Sequence, residues 1–166
     1  MTRTIKRFAN TDEFYRSLGG FFAAWSRTEL VIDCAIWKAL GTETPEDAHK
    51  RSAGTAFSDK CKQLRVLIDD GKVPHKAKGM LDKIENDSLR NVFAHSILAS
   101  DEDWVLFIYR DRPRRGKEYR PMGYKLTRAE FLTHVVEFAQ LSLEFEQATG
   151  LTDKEVRVFA SMALPE

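Results

Sequence analysis

The sequence is poor in cysteine. Only Cys34 and Cys61 are present, far apart and in no C-x-x-C unit. That argues against a disulfide framework or a zinc site and for thiols held in a reducing compartment. A charge excess is also lacking: 26 Lys and Arg against 25 Asp and Glu leave a formal net charge of +1. A globally basic nucleic-acid binder is excluded, although local patches are not. Long hydrophobic runs are missing too. The densest apolar stretch near the start, Phe21-Phe22-Ala23-Ala24-Trp25, is far too short to span a bilayer. A cytoplasmic protein with no membrane association is the expectation. There is no P-loop, no G-x-G-x-x-G, no H-E-x-x-H and no G-x-S-x-G. His49, His75, His95 and His134 show no spacing suited to a metal. No metal and no cofactor are therefore expected.

What remains is an ordinary globular composition. The 166 residues are 43% apolar and 31% charged, which suits one domain over residues 1–166 with a real core. No internal repeat or low-complexity segment stands out. Phe14, Leu18, Phe21, Phe22, Trp25, Ile32, Ile36 and Leu40 recur at helical spacing, from an acidic start at Thr11-Asp12-Glu13 to a stop at Gly41. Gly19-Gly20 is a weak point that allows a kink or a late start. Glu29 breaks the pattern by projecting into the sector of Leu18, Trp25 and Ile36. A carboxylate there either finds a partner at a cavity edge or snorkels outward.

Residues 42–55 read as a loop, and a second helix is expected from Ser58 to Asp70, with Gly71 and Pro74 closing it. A third should run from His75 or Lys76 to about Leu98 on a stripe of Met80, Ile84 and Leu98. On that wheel Ser88, Asn91 and His95 point into the stripe and Arg90 points away. A buried Asn–Ser–His cluster that only fixes packing is one reading of this.

After Asp103 the period changes. Trp104 to Tyr109 is aromatic and β-branched, as in a strand, and Glu118 to Leu126 can return as a second, with Pro121 at an edge. The hairpin region, residues 102–127, concentrates the positive charge. Arg110, Arg112, Arg114, Arg115, Lys117 and Arg120, then Lys125 and Arg128, face only Asp111 and Glu118. Interleaved Tyr109, Tyr119 and Tyr124 suit base stacking beside phosphate contacts, although a solvated basic loop has the same composition. Thr127 and Glu130 form a capping box for a helix ending at Gly150, and Thr152 can cap a short final one. The fold class expected is all-α: a four- to five-helix bundle with a β-hairpin inserted before the last long helix.

Within this frame Arg90, Asn91 and His95 carry the most chemistry. Asn91 and His95, four apart, share a helix face. Histidine can take a proton from a ribose 2′-hydroxyl or return one to a leaving oxygen. Arginine can hold the non-bridging phosphate oxygens as charge builds, and asparagine can orient either group. Phosphodiester cleavage without a metal fits these types. Acid and base on opposite sides of phosphorus usually need two groups, and a symmetric dimer would supply the second histidine.

Leu89-Arg90-Asn91-Val92-Phe93-Ala94-His95-Ser96 resembles the R-x4-6-H signature of HEPN domains in its R-N-x-x-x-H form. The likeness extends more weakly over the aromatic first helix, the 57–68 helix and the hairpin leading into a final helix. The Phe-Ala-His-Ser ending also resembles mannitol operon repressor-like members of that group. The resemblance implies a HEPN-like helical bundle that dimerises with its motifs facing across a cleft. In active members that cleft is a metal-independent ribonuclease site, often in toxin–antitoxin or phage-defence systems. Carried over by position, Arg90 and His95 would be catalytic and Asn91 supporting. Glu29 joins them on the stripe argument alone. The partners implied are a second copy, an RNA substrate and an antitoxin or regulatory protein. Other HEPN-like proteins are non-catalytic modules for regulation, nucleotide or RNA binding, or dimerisation.

Overall fold

A computed structural model describes residues 11–87, 89–100, 103–109 and 122–161. The chain is mostly helical, with an antiparallel sheet ahead of the last long helix. Helix α1 (Thr11–Leu40) is followed by α2 (Pro45–Ser52), α3 (Phe57–Asp69), a 3-10 turn (His75–Ala77), α4 (Lys78–Glu85) and α5 (Leu89–His95). Strands β1 (Ser96–Ser100), β2 (Trp104–Tyr109) and β3 (Met122–Thr127) come next, then α6 (Arg128–Thr149) and α7 (Asp153–Ser161). The sheet order is β1-β2-β3, with Ser96 opposite Tyr109 and Trp104 opposite Thr127.

Three sequence expectations need correction. The stretch 42–55 is not all loop. Thr44 caps α2 by accepting the Asp47 N–H at 3.2 Å, and Pro45 sits in the first turn with Glu46 and Asp47. The expected third helix is broken as well. The Asn86 side chain donates back to the Asp82 carbonyl at 2.8 Å, and the Leu89 N–H donates to Asp87 Oδ1 at 2.9 Å. Such local bonds compete with helix continuation, so α4 ends and α5 starts afresh. Finally, residues 96–98 are not helical but open β1, paired along β2, so the expected hairpin is one part of a three-stranded sheet. The Gly19-Gly20 pair, by contrast, lies inside one uninterrupted α1.

The chain divides into two compact units. One comprises Met1–Phe21 with Asp87–Glu137. Its core is rich in phenylalanine: Phe93 stacks on Phe107 with ring centroids 4.6 Å apart and meets Phe21 edge-on at 4.9 Å, while Phe14 lies 5.0 Å from Phe131. The capping box opens α6 here, with the Glu130 N–H donating to Thr127 Oγ1 at 3.2 Å and the Thr127 N–H to Glu130 Oε2 at 2.7 Å.

The other unit comprises Phe22–Asn86 with Phe138–Glu166. Ile32, Leu64, Ile68, Leu81, Ile84, Phe145 and Phe159 are fully buried in it, and Trp25 stacks on Phe138 at 5.3 Å. Its polar ties are specific. Arg27 forks onto Glu146 at 2.9 and 2.6 Å, and Arg65 reaches Asp82 at 2.8 Å and Glu85 at 2.5 Å. Lys60 Nζ meets Asp33 Oδ2 at 2.7 Å, with both side chains largely buried. Gly71, at φ 74°, makes the left-handed turn that closes α3, where the Lys72 N–H reaches the Leu67 carbonyl at 2.9 Å.

Candidate functional site

Helix α5 has seven residues, and its order decides which side chains are presented. Val92 and Phe93 are buried, which leaves Asn91 and His95 exposed and Arg90 half-buried. The inward orientation expected for Asn91 and His95 is therefore overturned. The expectation carried a single helical phase from Met80 through to Leu98, but the break at Asn86 and Asp87 restarts that phase and the aromatic takes the inner face. A buried Asn–Ser–His packing cluster falls with it, and Ser88 lies outside the described residues.

Arg90 and Asn91 are joined directly, with the guanidinium Nη1 donating to Asn91 Oδ1 at 2.8 Å. Asn91 and His95 are four residues apart, so on an α-helix they differ by only ~40° in direction. Asn91 thus binds the arginine and shares a helix face with the histidine. His95 is the last residue of α5, and Ser96 begins β1 immediately after it. The Ser96 hydroxyl is buried and finds no hydrogen-bond acceptor or donor among the described residues. The motif therefore sits at a helix-to-strand junction, with a guanidinium bonded to the Asn91 amide and an exposed histidine at the end of the helix.

Glu29, the fourth candidate, belongs to the other unit and is half-buried on α1. Its charge is among those acting on Cys61, whose thiol is pushed up to about 12 by burial first, then by Glu85, with Glu29 adding to it. Arg110, Arg112, Arg114, Arg115, Lys117 and Arg120 lie outside the described residues. Of the neighbouring cations, Lys125 sits over the Trp104 ring at 4.8 Å, and Arg128 is paired with Glu13. Among the described residues no three His, Cys, Asp or Glu side chains are grouped to hold a metal ion, and no helix is long and apolar enough to cross a membrane.

Two residues next to the motif were not singled out by sequence. Asp87 has only 8% of its side chain exposed; Oδ1 accepts the Leu89 N–H, and Oδ2 lies 3.2 Å from His134 Nε2. Nε2 is itself buried and makes no hydrogen bond among the described residues, so the carboxylate and the ring meet at short range without one. The His134 ring also packs on Phe93 of α5, edge-on at 5.6 Å, and on Phe21 at 5.8 Å. An Asp two residues ahead of an apolar restart is a helix-start signal, and it was available in the sequence. His134 carried no such mark, because it lies 3 residues along from Phe131 on an otherwise apolar face of α6. Compared with known proteins, the chain matches no family model, no curated protein and no solved structure.

Proposed function

We propose that the chain is a HEPN-like, metal-independent endoribonuclease that acts on RNA as a homodimer, in a toxin or phage-defence setting. The observation that carries this reading is the R-N-x-x-x-H string on α5, with Arg90 bonded to Asn91 and His95 open to solvent. Exposure matters because a general base must reach the proton it removes. In the proposed reaction His95 takes the proton of a ribose 2′-hydroxyl as that oxygen attacks phosphorus. The bond to the 5′-oxygen breaks, and the leaving oxygen takes a proton from the second histidine of the dimer. Arg90 holds the non-bridging oxygens, and Asn91 fixes the guanidinium that does so. The products are a 2′,3′-cyclic phosphate and a 5′-hydroxyl.

The test is cleavage of a labelled single-stranded RNA in EDTA by purified protein, with end-group analysis. His95→Ala and Arg90→Ala should each lower the rate by about 100-fold or more. Because His95 is exposed, its loss should move stability by no more than about 0.5 kcal/mol. Cleavage that survives both substitutions, or that needs a divalent metal, refutes the proposal. A dimer that binds RNA or nucleotide but never cleaves would instead assign the non-catalytic regulatory module.

A further inference from the structure

We infer that His134 is a positioning residue for α5, acting through Asp87 and Phe93 to set the direction in which Arg90, Asn91 and His95 project. The argument begins with what α5 lacks. Seven residues form too few internal hydrogen bonds to repay helix nucleation, so the helix must be held by its surroundings. Asp87 is the group that starts it, through the Leu89 N–H bonded at 2.9 Å. The Asp87 carboxylate has only 8% of its side chain exposed, and while Oδ1 takes the Leu89 N–H, Oδ2 faces the His134 ring, with Nε2 at 3.2 Å.

The same imidazole touches α5 a second time, at Phe93. Phe93 is also fixed on its other sides, by Phe107 stacked at 4.6 Å and Phe21 edge-on at 4.9 Å. One contact holds the helix start and the other its buried face. Together they fix position along the axis and roll about it. Roll is the sensitive coordinate, because one residue of slip turns every side chain by about 100°. His134 therefore governs the motif without belonging to it.

The consequence for RNA cleavage rests on the function proposed above; the hold of His134 on α5 does not. Three variants separate the contributions. His134→Leu removes the ring nitrogen that faces the carboxylate, His134→Gln keeps a polar group there, and Asp87→Ala removes the carboxylate. Amide hydrogen exchange, measured well below the melting temperature, reads α5 directly. In His134→Leu the amides of residues 89–95 should exchange about tenfold faster while those of α3 and α4 keep their wild-type rates. Asp87→Ala should do the same, and the double variant should be no worse than either single one. His134→Gln should stay near wild type. In the cleavage assay His134→Leu should lower kcat by about tenfold with KM little changed, since displaced catalytic groups lose rate before they lose binding. Unchanged α5 exchange in His134→Leu, additive single variants, or a His134→Gln protein as disturbed as His134→Leu would each overturn the inference. If the wild-type protein cleaves no RNA, the functional proposal fails alone, and the exchange and double-variant results still decide this one.

Discussion

Lys60→Met isolates what a buried charge demands. The substitution keeps most of the aliphatic stem and removes the ammonium that sits 2.7 Å from Asp33 Oδ2. Only 15% of the Lys60 side chain and 13% of the Asp33 side chain are exposed, so solvent screens the pair weakly. Asp33 Oδ1 is buried with no hydrogen-bond partner among the described residues, so no neighbouring donor is already in place to take over the charge. Breaking a buried pair from one side costs roughly 3–5 kcal/mol, because the survivor is left uncompensated. The pair also lines a cleft with Trp37, Arg51 and Gln63, through which water can hydrate a stranded carboxylate. The lower end, about 3 kcal/mol, is therefore expected. For a chain of this length each kcal/mol moves the midpoint by roughly 2–4 °C, giving a fall of about 6–12 °C in a thermal melt followed by circular dichroism. The control is Asp33→Leu combined with Lys60→Met, which removes both charges and should recover most of the loss. A Lys60→Met protein within about 1 kcal/mol of wild type would refute the reasoning, as would a double variant no better than the single.

Both thiols should be silent in the native state. Burial is the main reason that Cys34 and Cys61 are each pushed up to about 12, so a thiol-exchange reagent at pH 8 should label neither until the protein is unfolded. Labelling of the native protein at the rate of a free thiol would contradict this. Glu155 is held down to about 2, from an ordinary 4.5, by Lys38 at 2.7 Å first and then by the Thr152 N–H. A folded-state value below the unfolded one means that its contribution is complete above 4.5 and is lost as pH falls towards 2. Glu155→Gln should flatten the stability profile in that window in melts taken from pH 5 to 2, and an unchanged slope would count against the assignment.

The parts of the fold legible in the sequence are those with local causes. The Thr127–Glu130 capping box, the Thr152 cap and Gly150 bound α6 and α7 through bonds made within a few residues, and the aromatic periodicity of α1 is equally local. Helix α2 escaped because Pro45 and Ala48 alone are buried, too few to make a stripe, even though Thr44-Pro45-Glu46-Asp47 is a sound start signal. Strand β1 escaped for a different reason. Ile97 and Leu98 fit a helical continuation as well as a strand, and only pairing with β2 chooses between them. For the candidate site, the sequence located Arg90, Asn91 and His95 but turned Asn91 and His95 the wrong way. The error came from reading a phase through Asn86 and Asp87, whose side chains end one helix and begin the next. The contact between Asp87 and His134 is purely tertiary, and neither residue type nor spacing announces it.

The brevity of α5 has a consequence for reading variants of this protein. A long helix survives the loss of one inward side chain, because neighbouring turns still carry it. A helix of two turns fixed by Val92 and Phe93 has no such reserve. If the proposed function holds, substitutions at those two positions should mimic the loss of His95 or Arg90 in a cleavage screen, although both side chains are buried. In such a screen the chemistry and its scaffold share one phenotype, and only a direct measurement of helix order tells a missing reactive group from a missing foothold.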